Sequence, residues 1–183
     1  MNSNASPGPD GFGPAFFKCF WDLTKHNLLS YLSDFHSRQA DLRSINKSYL
    51  VLIPKKPGAC SPSYYWPISL QNTSTKVASK SLTSRLQPLI PHLVHADQTG
   101  FIKGRSISEN FVYAADIIQS CHKRKAPSIV LKLDFRKAFD TVNWVALDAI
   151  LTAKGFLLLW RHWIQDLAVS SQSAVLLNGK PGT

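Results

Sequence analysis

The stretch Ser128-Ile129-Val130-Leu131-Lys132-Leu133-Asp134-Phe135-Arg136-Lys137-Ala138-Phe139-Asp140 decides how the rest of the chain is read. Residues 128–133 are a short, mostly apolar run, the composition of a buried strand. They deliver Asp134 at the strand's end. A buried strand that lends one carboxylate at its end is a common way to hold a divalent cation. Phosphoryl-transfer enzymes use such carboxylates to fix Mg²⁺ over the reacting phosphate. An aspartate there is more often a turn former or a helix cap, so Asp134 gains weight only from its surroundings. Asp140 follows beyond Phe139 and suits a helix cap or a structural partner equally well. No two acids are adjacent anywhere in the chain, so no Asp-Asp or Asp-Glu pair completes a two-metal centre.

Working outward, the spacing predicts helices over about 143–153, closed by Gly155, and over about 157–168. A last strand over 173–177 runs into the turn Asn178-Gly179-Lys180-Pro181-Gly182. Upstream, residues 48–54 and 65–70 read as strands. A Lys-Lys-Pro-Gly turn and a Ser/Pro-rich loop lie between them, which predicts a hairpin with basic residues at its tip. Pro67 confines the second strand to an edge or interrupts it. A helix is expected over about 73–86, stopping before Pro88, and another from near Ser108 into Lys123-Arg124-Lys125. At the start, Ser6-Pro7-Gly8-Pro9-Asp10-Gly11-Phe12-Gly13 is turn chemistry. A helix follows from about Pro14, with Phe17, Phe20, Trp21, Leu28, Tyr31, Leu32 and Phe35 on one buried face. Strands mixed with helices in a non-repeating order point to an α+β fold.

Charge narrows the function. The 183 residues carry 21 Lys+Arg against 11 Asp+Glu, a net +10. Residues 42–105 hold nine of the basic residues and a single acid, Asp97. A phosphate backbone is the natural counterion for such a field, and a cationic substrate is disfavoured. Hydrophobic residues at 44% supply a real core. Cys19, Cys60 and Cys121 are widely spaced and odd in number, which fits free thiols with no disulfide partner. No Cys/His cluster has zinc-ligand spacing, and no apolar run approaches a membrane span. The first residues lack a basic and apolar leader, so an intracellular, cytoplasmic or nuclear chain is expected and a secreted one is not.

Two further segments bear on phosphate. Lys55 and Lys56 at the hairpin tip suit folding over a triphosphate as point charges, although a solvated turn explains them as well. The run Gln98-Thr99-Gly100-Phe101-Ile102-Lys103-Gly104-Arg105 has two glycines and two cations, which permits close backbone approach to a phosphate. There is no Walker loop, no Gly-x-Ser-x-Gly and no metalloprotease histidine pattern.

Taken in order, these segments are far more specific than any one of them. From about residue 6 onward the chain resembles the reverse transcriptase domain of LINE-type, non-LTR retrotransposons, particularly the plant copies. The matching runs are Ser6 to Phe12, Leu52-Ile53-Pro54-Lys55-Lys56, Tyr65-Trp66-Pro67-Ile68-Ser69-Leu70, Gln98 to Asn110, Leu131 to Trp144 and Val175 to Gly182. The resemblance implies an incomplete right-hand polymerase fold, with fingers and the first part of the palm and no thumb. Residues 1–47 would be the N-terminal extension and helix, 48–125 the fingers and 126–183 the partial palm. It implies that Asp134 is the first catalytic aspartate and a metal ligand, with the Phe135 carbonyl beside it. It implies that Phe139 gates the sugar, that Lys55 meets the incoming triphosphate, and that Gln98, Gly100, Lys103 and Arg105, with Lys56, lie toward nucleic acid. Mg²⁺ or Mn²⁺ would be the cofactor, held weakly by this chain alone. RNA template, DNA primer and deoxynucleotides would be the partners, with no membrane involved.

Two departures matter. The family reads Tyr-Arg-Pro-Ile-Ser-Leu where this chain has Trp66, and tryptophan cannot replace a bidentate, permanently charged phosphate donor. The Tyr-x-Asp-Asp turn that supplies the remaining carboxylates in the family is not among these residues. A truncated reverse transcriptase domain, inactive alone and with its apolar palm strand exposed, is therefore the expectation. A non-catalytic nucleic-acid-binding module and an enzyme completed by further sequence stand as alternatives.

Overall fold

The computed structural model describes residues 1–135 and 137–182. The chain is mixed α and β. It forms two compact units, Met1–Leu82 with Leu151–Thr183, and Thr83–Ile150.

The first unit is built on a four-stranded sheet. Strands β1 (Lys47–Pro54), β2 (Tyr65–Gln71), β3 (Gln172–Leu177) and β4 (Lys180–Pro181) lie in the order β2-β1-β3-β4. The hairpin of β1 and β2 is antiparallel, with Ser48 opposite Gln71 and Pro54 opposite Tyr65. The second strand is an edge, as Pro67 requires. β3 pairs parallel to β1, with Lys47 opposite Gln172 and Val51 opposite Leu176. Asn178 and Gly179 both take positive φ, the requirement of a two-residue hairpin turn. The turn expected after Leu177 thus folds the chain back, and Leu177 pairs with Lys180.

Helices α2 (Trp21–His36), α4 (Thr73–Leu86) and α8 (Leu158–Val169) supply the core. Phe35, Leu42, Ala78, Leu82 and Trp163 are buried together, with Tyr31, Leu32, Ala40, Trp160, Ile164 and Leu167 packed around them. The Trp163 indole N–H donates to the His36 carbonyl at 3.1 Å, so the largest core ring is also hydrogen-bonded. The helix expected in one piece from Pro14 is two, because α1 (Pro14–Cys19) ends at Phe20, whose φ and ψ of −104° and 34° leave the helical region. Phe12, Phe16, Phe17 and Phe20 instead gather on one another, with Phe16 4.4 Å from Phe12 and 5.0 Å from Phe20 between ring centroids. Of the expected buried face, Leu28 and Phe35 are buried, whereas Phe20 and Trp21 are exposed.

Two buried amides join these parts. Asn46, which follows the short helix α3 (Leu42–Ile45), donates from Nδ2 to the Leu167 carbonyl at 2.7 Å and to Ser170 Oγ at 2.9 Å. Its Oδ1 accepts from Gln71 Nε2 at 3.0 Å, and its carbonyl accepts from Gln172 N–H at 3.0 Å. Asn72 donates from Nδ2 to the Ile45 carbonyl at 2.9 Å and accepts the Asp10 N–H on Oδ1 at 3.1 Å. That second bond docks the N-terminal loop. Gly8 lies so close that an added Cβ would stand 2.4 Å from both the N and Oδ1 of Asn72, so this position admits no side chain.

The second unit holds α5 (Ile90–Leu93), α6 (Ile107–Lys123) and α7 (Trp144–Ala153), the last running on to Ala153 and closed by Gly155 at φ 78°. The strand expected over 128–133 is not formed. Residues 127–135 have no regular structure, and Ile129 and Leu131 are 98% and 77% exposed. A strand is stable only when its backbone groups are paired, and among the described residues none pairs with this segment.

Removing the Asn46 amide leaves Gln71 Nε2 and the Leu167 carbonyl without their partner in a dry site, so Asn46→Ala is expected to lower stability by about 3 kcal/mol in urea unfolding. The Tyr31 hydroxyl is buried with no hydrogen-bond partner, and burial pushes its ionisation above the ordinary value of 10.0. Tyr31→Phe is therefore expected to raise stability by about 1 kcal/mol. In the unaltered chain the contribution of the neutral phenol is lost as pH rises through its elevated value, and the variant should lack that alkaline loss.

Candidate functional site

The hairpin tip gathers charge and rings. β1 ends at Pro54, and the chain turns through Pro57 and Gly58, whose φ of 69° suits glycine. It returns through a single 3₁₀ turn, Pro62–Tyr64. The Lys55 N–H donates to the Tyr64 carbonyl at 2.8 Å, and the Tyr65 hydroxyl donates to the Ala59 carbonyl at 2.8 Å, so the loop is held from both sides. These bonds aim the two lysines. Lys55 Nζ stands over the Trp66 ring, 4.4 Å from its centroid, and donates to the Ser63 carbonyl at 3.0 Å. Lys56 Nζ stands over Tyr64 at 3.8 Å. Both cations and both rings are solvent-exposed, Trp66 by 57%. Trp66 is thus in direct contact with Lys55.

In the second unit the Gln98 to Asn110 segment is a pinned loop. Arg105 Nη1 donates to the carbonyls of His95 at 2.6 Å and Gln98 at 2.7 Å, and Nη2 donates to that of Val94 at 3.3 Å. Asn110 Nδ2 donates to the Asp97 carbonyl at 2.7 Å. The guanidinium expected to face nucleic acid therefore holds backbone, closing the carbonyls left open after α5. Gln98 and Lys103 are exposed, and Gly100 is half-buried beside the Gln98 amide. Phe101, at φ 62°, projects into solvent and meets Phe139 edge-on at 5.4 Å.

Asp134 and Phe135 lie in the irregular, exposed segment that precedes Phe139. Among the described residues no three Asp, Glu, His or Cys side chains converge to hold a metal ion. A hard cation such as Mg²⁺ needs oxygen ligands fixed in near-octahedral geometry. Asp134 is exposed on an unpaired segment, and no such cluster forms around it among the described residues.

Sequence reasoning missed a cleft of about 650 Å³ in the first unit, lined by Asp10, Lys47, Ser48, Asn72 and Ser173 among others. No local signal announces it, because it arises where β3 pairs with β1 beneath the docked N-terminal loop. Cys19, Cys60 and Cys121 are free thiols. No helix among the described residues is long and apolar enough to cross a membrane.

The family model described as reverse transcriptase (RNA-dependent DNA polymerase) matches residues 53–181. The chain is 28% identical over 97% of its length to the transposon TX1 uncharacterized 149 kDa protein of Xenopus laevis, covering 14% of that protein. It is 26% identical over 86% of its length to a retrovirus-related Pol polyprotein from the type-1 retrotransposable element R2 of Nasonia vitripennis, covering 15%. It is 25% identical over 85% to a retrovirus-related Pol polyprotein from the type-2 element R2DM of Drosophila melanogaster, covering 14%. The chain therefore spans about one seventh of the length of these relatives.

Arg105→Ala removes the three bonds that close the 94–98 turn. Hydrogen exchange of the amides over 94–99 is expected to quicken roughly tenfold or more, with the β1 and β2 amides unchanged.

Proposed function

Because the chain belongs to the reverse transcriptase (RNA-dependent DNA polymerase) family, in its non-LTR retrotransposon branch, we propose that it supplies the part of such a polymerase that meets the nucleotide and the nucleic acid. In this reading residues 1–47 are the N-terminal extension, 48–125 the fingers and 126–183 the first part of the palm. RNA template, DNA primer and deoxynucleotides are the partners. The observation that carries the reading is the hairpin tip, where Lys55 and Lys56 stand on a hydrogen-bonded turn within a stretch of the chain that has no acid from Leu42 to Ala96. A triphosphate or a phosphate backbone brings the opposite charge to that surface. Lys55 meets the incoming phosphates. Phe139 lies beside the sugar, with Asp134 and the Phe135 carbonyl just before it in the chain. Gln98, Gly100 and Lys103 face nucleic acid on a loop that Arg105 positions.

We also propose that the 183 residues by themselves do not copy RNA. Two observations support this. Asp134 is exposed on a segment without strand pairing, so its carboxylate is not fixed at the reacting phosphate. Trp66 takes the place of the family's arginine and lies against Lys55. The same contact favours the second reading, a module that binds nucleic acid without catalysis.

Primer extension on an RNA template with Mg²⁺ or Mn²⁺ tests the proposal. No incorporation is expected from the purified chain, while salt-sensitive RNA binding is retained. Incorporation that disappears in Asp134→Asn would establish an active enzyme and overturn it.

A further inference from the structure

The hairpin tip is chemically different from a pure phosphate clamp. Each of its two lysines is laid on an exposed aromatic ring, Lys55 on Trp66 and Lys56 on Tyr64. The two rings are close in sequence, Tyr64 ending the 3₁₀ turn and Trp66 entering β2. The loop beneath them is braced by the Lys55–Tyr64 backbone bond and the Tyr65–Ala59 bond. Trp66 stays 57% exposed with the Lys55 ammonium over its ring. Opposite Trp66 across the hairpin is Ile53, and two residues further along the same face is Ile68. Both are exposed, so the apolar surface continues down the hairpin.

We propose that this tip is a stacking site for the unpaired bases of single-stranded nucleic acid. Trp66 and Tyr64 each take the face of one base, and Lys56, with Lys55 when no nucleotide occupies it, meets the phosphates that flank them. The inference rests on the nucleic-acid reading above and names what the tip recognises within it. Every base has a π-face, so stacking accepts any sequence, and the lysines add the ionic part that brings the strand in. An indole offers one N–H donor and no charge, but it can bury one face of a base.

The experiment uses the whole chain and fluorescence anisotropy of a labelled short RNA oligomer, beside an abasic oligomer of equal length that keeps the phosphates and lacks the bases. The unaltered chain is expected to bind the complete oligomer at least tenfold more tightly than the abasic one. Trp66→Ala and Tyr64→Ala should each weaken binding of the complete oligomer roughly fivefold to tenfold and leave binding of the abasic oligomer unchanged. Trp66→Phe should stay within about twofold of the unaltered chain, because a ring remains. Equal affinity for the two oligomers would overturn the stacking site. So would unchanged binding in the two ring variants while Lys55→Ala and Lys56→Ala weaken it, although the basic nucleic-acid surface would then stand. Absence of binding by the unaltered chain at low salt would overturn both.

Discussion

A buried carboxamide has to be satisfied on every side, and the first unit is organised around one. Asn46 accepts from Gln71 at the end of β2, donates to the last turn of α8 and the serine beyond it, and through its own carbonyl receives the first residue of β3. Gln71 lies 25 residues from Asn46, whereas Leu167 and Ser170 lie 121 and 124 residues from it. One amide, in a site 1% exposed, joins them. Left unpaired there it would cost more than most single contacts contribute. The parallel register of β1 and β3 follows directly, because Gln172 bonds to Asn46 and then pairs with Lys47. Asn72, just past the last residue of β2 at the same open end of the hairpin, fixes the N-terminal loop. The hairpin tip, carried on β1 and β2, is positioned by this buried polar frame.

Much of this order is legible in the sequence because it is local. The hairpin, the helix over Thr73–Leu86 and the glycine stop at Gly155 follow from turn residues, spacing and the rule before proline. The edge position of β2 follows from the missing N–H of Pro67. What is illegible is what depends on distant partners. Asn46 and Asn72 look like ordinary turn residues until the strands around them are paired. The 128–133 run has the right composition for a strand, but composition does not supply a neighbour, and the chain there stays irregular. Phe20 and Trp21 fit the helical stripe, yet a nearer phenylalanine cluster takes Phe20 and the helix breaks. In the candidate site, Lys55 and Trp66 were each legible from their motifs. Their mutual contact was not, because it depends on how the 3₁₀ turn returns. Arg105 has the charge of a phosphate contact, but its geometry is that of a brace for three carbonyls.

The tip and the Asp134 segment illustrate two different ways of presenting chemistry. The tip is held by its own short bonds at the end of a hairpin that the buried amides position. Asp134 stands exposed on an irregular segment that no strand among the described residues pairs with. A carboxylate without such support has no fixed direction, and fixed direction is what positioning a reacting group requires.

Both outer strands of the sheet carry a proline, Pro67 in β2 and Pro181 in β4, and β4 is two residues long. Neither border offers a full row of backbone donors and acceptors to an incoming strand. Growth of the sheet from one molecule to the next is thereby discouraged at both ends. Copies that meet at high concentration would cohere instead through the bare greasy segment at 127–135, so clumping of this protein should respond to polar substitution there and be indifferent to changes along the sheet's rims.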